Sequence, residues 1–267
     1  MRQHTKFIIS SLVFLFAVNN AQAATTQFTN LSDADFENLS KEMGASVMHH
    51  SVLGAAPLGS VFGFELGILA GRSSSPDIDK IVKNSGGSGL SDLYHAGVIG
   101  AVSIPFGITG EVLYTPKLSS NDAEYSATSA ALKISSKDII PIIPFNLALR
   151  AFSSSATLSF SQTISSVTTT VEDKINATGI QLLASPNLPV IEPYVGIGTV
   201  TAKNDLSYSG TSIFNSSLTS STSASKSPTS TQFLLGVNAN ILFFHLGAEY
   251  FSAFGTSGYT AKLAFGF

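Results

Sequence analysis

From Pro57 to the carboxyl end, apolar and polar positions alternate with a period of two, the rhythm of strands whose two faces meet different surroundings. The pattern is plainest at the close of the chain. There Tyr259, Ala261, Leu263, Phe265 and Phe267 share one face, and Thr260, Lys262, Ala264 and Gly266 share the other. Similar segments lie at 60–72, 94–104, 108–117, 124–135, 145–158, 175–185, 191–203, 231–243 and 245–254. They predict ten strands, or eight if two weak ones merge or fail, with 124–135 the weakest. Each is near the ~9–11 residues that a tilted membrane strand needs.

The links supply an independent check. Those at 73–93, 159–174 and 204–230 are long and rich in Ser, Thr, Gly or Asn, whereas 105–107, 186–190 and 243–245 are short. Two further outer links, 118–123 and 255–257, are short, and 136–144 is a longer inner one with Pro141 and Pro144. Long and short links alternate as in an all-β, antiparallel, up-and-down transmembrane barrel with both termini in the periplasm.

Ahead of the strands the period becomes helical. Ser32 can cap a helix running to Val47, with Asp35 three residues on, and Phe36, Leu39, Met43 and Val47 form its apolar stripe. This predicts a periplasmic segment at 24–56 and a barrel at 57–267. The helix would enter the lumen from the periplasmic side or rest against the inner rim. Earlier still, Arg2, His4 and Lys6 precede an apolar run from Phe7 to Val18, and Ala21-Gln22-Ala23 follows, which reads as a signal peptide at 1–23.

Composition narrows the choice. Charged residues make up 12% of 267, about half the ~25% of a soluble domain, yet no apolar run reaches the ~20 residues of a helical span. In an exported chain of this kind, a closed barrel is the remaining way to satisfy every backbone group in lipid. A net charge of −3 argues against nucleic acid. The absence of cysteine excludes disulfides, a lipoprotein anchor and thiolate metal sites.

The face assignment places Glu65, Glu111 and Glu249 in the lumen with Lys133, Arg150 and Lys262, and His245, Asn146, Gln181, Asn238 and Asn240 point the same way. A barrel of this size is narrow inside, and unpaired charge there costs several kcal/mol per ion. The three acids and three bases therefore predict a paired polar network filling the lumen, since a charge-selective pore would show an excess of one sign. Neither a catalytic nor a metal site is expected. His95 has Ser91 and Asp92 close in sequence but reads as a solvated loop histidine, and the adjacent His49-His50 diverge on a helix. Gly196-Ile197-Gly198 lies within a strand with no helix after it, so no nucleotide or other cofactor is expected.

Several segments resemble a family. Ala56-Pro57-Leu58-Gly59 leading into Phe62-Gly63-Phe64-Glu65-Leu66-Gly67, the helix with Leu39-Ser40-Lys41-Glu42-Met43-Gly44-Ala45, Pro193-Tyr194-Val195-Gly196-Ile197-Gly198, and the closing run from Gly258 to Phe267 carry the likeness. They are similar to an uncharacterised family of proteobacterial outer-membrane β-barrel proteins. The resemblance implies fold and location and assigns no activity. A terminal Phe267 also resembles the signal read by the barrel assembly machinery, which joins outer-membrane lipid as an expected partner. The functional expectation is a non-enzymatic barrel with a structural or surface-interaction role, the alternative being a narrow channel or ligand passage gated by the amino-terminal helix.

Overall fold

The computed structural model describes residues 28–59, 61–87, 89–120, 123–136, 144–164, 167–214 and 222–267. The signal peptide read at 1–23 lies outside them. Helix α1 (Asp33–Val47) leads to β1 (Gly63–Ser74), and a second helix, α2 (Pro76–Asn84), occupies the first long link. Then come β2 (Asp92–Ile104), a 3-10 turn (Pro105–Gly107), β3 (Ile108–Ser120) and β4 (Ala123–Ser135). The longest strands follow, β5 (Phe145–Ile164), β6 (Val167–Pro186) and β7 (Ile191–Ser209). A short β8 (Ser223–Lys226) precedes β9 (Thr229–Ile241), β10 (Phe244–Ala253) and β11 (Thr256–Gly266).

Every stave pairs antiparallel with its neighbours, and β1 pairs with β11 from Glu65↔Gly266 to Ser73↔Gly258, which closes the ring. β8 lies on the upper end of β7 and continues β9 across a break at Ser227-Pro228, where proline offers no ladder N–H. The ring therefore has the ten staves that the alternation predicts, 124–135 among them.

Two expectations need correcting. Residues 159–164 and 167–174, read as part of a loop over 159–174, are strand, with β5 and β6 in register from Ser159↔Glu172 to Ile164↔Val167. Their inward positions (Phe160, Val171, Ile175) are buried like those below, but the outward ones (Ser161, Lys174, Asn176) are polar and exposed. Alternation with an apolar outer face therefore fades where the strands leave the lipid. Twenty residues in each of these staves, at ~3.3 Å rise and ~40° tilt, span ~50 Å against ~30 Å of hydrocarbon. Their upper third projects beyond the membrane.

The second correction concerns α1. Its start is as read: the Asp35 N–H donates to Ser32 Oγ and the Ser32 N–H to Asp35 Oδ2, both at 3.1 Å. Its position is not. The helix lies inside the ring at the mouth remote from Phe267, the one that holds α2, rather than beside the rim where the chain closes. Phe36, Leu39, Met43 and Val47 pack there with Ile78, Ile81 and Val82 of α2 and with Phe160, Val171, Ile175 and Leu206 of the staves. The helix comes so close to β7 that a Cβ on Gly44 would stand 2.4 Å from Ala202 Cβ. Partners on the projecting staves, which no local pattern reveals, draw the apolar stripe to this mouth.

Outside, Leu66, Ile180, Leu182, Val195, Leu235, Leu263 and Phe265 are exposed around the ring, as the face assignment predicts. Phe62, Phe106, Phe243, Phe244 and Phe267 crowd the rim near the carboxyl end, while Tyr94 and Tyr259 stand toward the other. A continuous apolar ring of this size far exceeds the patches that water-soluble proteins expose.

Candidate functional site

Between α1 and β1 the chain descends through the lumen as an extended strap, residues 48–58. Its backbone has no partner strand, so its polar groups are met by inward side chains. Near the top, Gln232 of β9 donates to Met48 Sδ at 3.2 Å. His49 bonds Ser129 Oγ of β4 at 2.7 Å and Glu111 Oε2 of β3 at 3.0 Å. Ser51 Oγ accepts from Arg150 of β5, which also donates to Gln181 Oε1 at 2.6 Å and Glu111 Oε2 at 3.3 Å. Lys133 Nζ donates to the carbonyls of Gly54 at 2.7 Å and Ala56 at 2.9 Å, and Ser135 Oγ to that of Ala55 at 2.6 Å. Lower down, Glu192 of β7 accepts from the Ala56 N–H at 2.9 Å, and Ser103 Oγ of β2 accepts from the Leu58 N–H at 2.9 Å. Groups on six staves (β2, β3, β4, β5, β7 and β9) thus converge on one strap.

The strap turns into β1 at the lower rim. A Cβ on Gly59 would lie 2.2 Å from the Phe62 carbonyl oxygen, so only glycine fits the bend. Below the strap, Glu65 Oε1 accepts from Lys262 Nζ at 2.6 Å, and Glu65 Oε2 is 2.8 Å from His245 Nδ1. On the other wall Tyr194 donates to Glu249 Oε2 at 2.7 Å.

The inward residues therefore gather in ways that pairing by charge count did not anticipate. Glu111 meets Arg150, and Glu65 meets Lys262 and His245, acid to base. Lys133 instead serves strap carbonyls, and Glu249 takes a tyrosine hydroxyl. Asn146 is buried, and Gln181 links Arg150 to Gln232, whose Oε1 accepts at 2.8 Å. Asn238 is buried, but its amide has no hydrogen-bond partner among the described residues. Asn240 is exposed at the lower rim, outside the network, because β9 has there run past the end of the strap.

The histidines are also placed differently from expectation. His95 is not a solvated loop residue; it points inward from β2, with Nε2 2.8 Å from Thr260 Oγ1. Its ring stacks on His50 with centroids 4.2 Å apart and planes 10° from parallel, and Phe251 closes the group at 4.5 Å from His50. Ser91 Oγ donates to Asp92 Oδ2 at 3.4 Å and Asp92 pairs with Arg72 at 3.5 Å, while His95 turns inward to Thr260, so the three do not form one group. A cavity of about 20 Å³ beside His50, His95 and Ser129 has room for roughly one water. Another concavity, about 740 Å³, lies on the outer wall over Ala70, Ala248 and Ala261 and faces lipid.

The strap itself escaped sequence reading. Met48 to Leu58 has no period, and its partners Ser103, Ser129, Ser135, Glu192 and Gln232 are individually ordinary. The one usable signal was the surplus of inward hydrogen-bonding groups over the charges available to pair them.

Residues 69–267, three quarters of the chain, match a family of unknown function (DUF6588). The chain belongs to that family. No curated protein matches its sequence. Among solved structures, this DUF6588 chain is similar to the translocator domain of the autotransporter NalP from Neisseria meningitidis, at 10% identity, over 88% of this chain and 95% of that one, with a TM-score of 0.46. It is also similar to Ail, the attachment invasion locus protein of Yersinia pestis, at 14% identity over 78% and 100% of the two chains, with a TM-score of 0.28. LpxR from Salmonella typhimurium matches at 8% identity over 75% and 99%, with a TM-score of 0.30. These likenesses concern fold only. With its ring closed and its outer face apolar between aromatic rims, the DUF6588 chain is an integral β-barrel of the bacterial outer membrane.

Proposed function

We propose that this DUF6588 barrel is a self-sealed, non-enzymatic outer-membrane protein whose work is done at its outer face, as a structural or surface-interaction element. The observation that carries the reading is the strap. Its polar groups are taken up by six staves along the depth of the lumen, while the upper mouth is closed by the apolar core of α1 and α2. Hydrogen bonds of this kind contribute about 1 kcal/mol each, more where a charge is involved. A permeant would have to displace many together. The projecting ends of β5, β6 and β7, with α2, supply the surface available to a partner outside. Lipid contacts the belt, and the closing strand with Phe267 is read as the element that the assembly machinery engages.

A gated channel is the second reading, favoured by the polar wall behind the strap, where Glu65, Glu111, Lys133 and Arg150 would line a hydrated path if the strap withdrew. Planar-bilayer recording separates the two. Full-length protein at neutral pH is expected to be silent, and a chain lacking 24–50, shown to be folded by heat-modifiable migration, is expected to conduct. Reproducible current through the full-length protein would overturn the sealed reading.

A further inference from the structure

The two ends of the described chain stand at opposite mouths of the barrel. At the lower rim, Phe267 and Phe64 exchange backbone hydrogen bonds, Phe64 N–H to Phe267 O at 2.9 Å and Phe267 N–H to Phe64 O at 3.1 Å. At the upper mouth, the Phe28 N–H donates to Gln162 Oε1 at 2.8 Å and Gln162 Nε2 donates back to the Phe28 carbonyl at 2.9 Å. Gln162 lies next to the tip of the β5–β6 hairpin, on the part that rises beyond the membrane.

The seat at this mouth is extensive. Leu31 N–H donates to the Ile213 carbonyl at 2.9 Å, and Leu31 forms a parallel bridge with Phe214 in the link after β7. Thr29 N–H reaches Ser85 Oγ at 3.1 Å, and Asp33 pairs with Lys226 at 2.6 Å. Glu42 of α1 accepts the Asp77 and Ile78 N–H groups, at 2.9 and 2.8 Å, and so caps the start of α2. The chain from Phe28 to Leu58 thus joins the projecting links at one end to Ser103 at the opposite rim.

Link length orients the mouths. The turns at 105–107, 187–190 and 242–243 lie at the rim of Phe267, as does the longer connection between β4 and β5. The mouth of Phe28 has the short β3–β4, β5–β6 and β10–β11 turns but also the two longest connections, the one holding α2 and the one between β7 and β9. The longest links of such barrels belong to the exterior, and the stave ends with polar outward residues Ser161, Lys174 and Asn176 rise at the same mouth. The upper third of β5 and β6, ~20 Å of stave beyond the hydrocarbon, then stands outside the cell with Phe28 at its tip.

We infer that the barrel carries its chain from the strap up to Phe28 across the outer membrane and presents Phe28 at the cell surface. The strap and β1 are the two limbs of one hairpin whose bend at Gly59–Phe62 stays at the periplasmic rim, while both limbs run outward. A polypeptide joined ahead of Phe28 emerges outside, so the same architecture presents amino-terminal cargo. This goes beyond a sealed lumen, which would be equally sealed if the chain entered and ended on one side.

The absence of cysteine makes the test direct. Ala34→Cys places a thiol on the exposed first turn of α1, and Leu188→Cys places one in the exposed β6–β7 turn. Cells expressing each variant are treated with a maleimide on a polyethylene glycol too large to cross the outer membrane, and heat-modifiable migration verifies folding. Ala34→Cys is expected to be labelled on intact cells to the extent seen after permeabilisation, and Leu188→Cys only after permeabilisation. Protection of Ala34→Cys on intact cells, with labelling once they are opened, would overturn the inference, as would labelling of Leu188→Cys from outside. An epitope ahead of Phe28 gives a second readout: antibody binding to intact cells is expected, and binding only after permeabilisation refutes it. Bilayer conductance does not depend on orientation, so failure here leaves the sealed-lumen reading separately testable.

Discussion

Asp173 offers a pH dependence that can be worked through. It points inward from β6 above the lipid belt, where the neighbouring outward residues Lys174 and Asn176 are exposed. Asn204 Nδ2 donates to its Oδ2 at 3.3 Å, while Asp173 Oδ1 and Asn204 Oδ1 both lack a partner among the described residues. Two buried acceptors left over in one acid–amide pair favour the protonated carboxyl over the carboxylate. A protonated carboxyl gains a donor that a carboxylate lacks, and so can satisfy an acceptor that is now without one. Burial pushes the carboxyl up to about 7, outweighing the Asn204 hydrogen bond that pulls it down, with a small further push from Asp205. Because the folded value lies above the unfolded one, the unfolded chain loses its proton first as pH rises. Stability should be full below about pH 4 and fall until about pH 7. Three units at ~1.4 kcal/mol each amount to about 4 kcal/mol. Asp173→Asn removes the titration. Urea unfolding in lipid vesicles between pH 4 and 8, followed by circular dichroism because the chain has no tryptophan, should show wild type losing several kcal/mol that the variant keeps. Parallel profiles for the two proteins would refute the protonated pair.

Other substitutions probe the mouth, the helix seat and the closing strand. Glu42→Ala leaves the Asp77 and Ile78 N–H groups without their carboxylate, at a cost of about 1–3 kcal/mol. Limited proteolysis should show faster cleavage between residues 76 and 90. Gly44→Val puts a branched side chain where Ala202 already stands 2.4 Å from an added Cβ. Displacement of α1 should lower the thermal midpoint by several degrees and add conductance to a silent barrel. Phe267→Ser removes the terminal ring that lies 4.5 Å, edge to face, from Phe64. It should reduce the heat-modifiable fraction in membranes several-fold, and an unchanged fraction would remove Phe267 from assembly.

How much of the barrel was legible follows from where each residue finds its partners. A strand's pleat assigns its faces locally, so Leu263 and Phe265 outward and Lys262 inward could be read from nine residues without knowing the neighbouring staves. The capping box at Ser32 and Asp35 is equally local. The alternation dimmed at 159–174 because its outer face there meets water, and only the inward half, Phe160 to Ile175, still carries the signal.

The sequence by itself determined the ten staves, their facing, the capped helix and the polar lumen, since each depends on contacts between near neighbours or on the solvent that each face meets. Only the tertiary structure decided that residues 48–58 run through the lumen and that α1 sits at the far mouth. The strap has no rhythm of its own; its carbonyls and N–H groups are satisfied by Ser103, Lys133, Ser135 and Glu192, residues tens of positions away that closure of the ring brings to one axis.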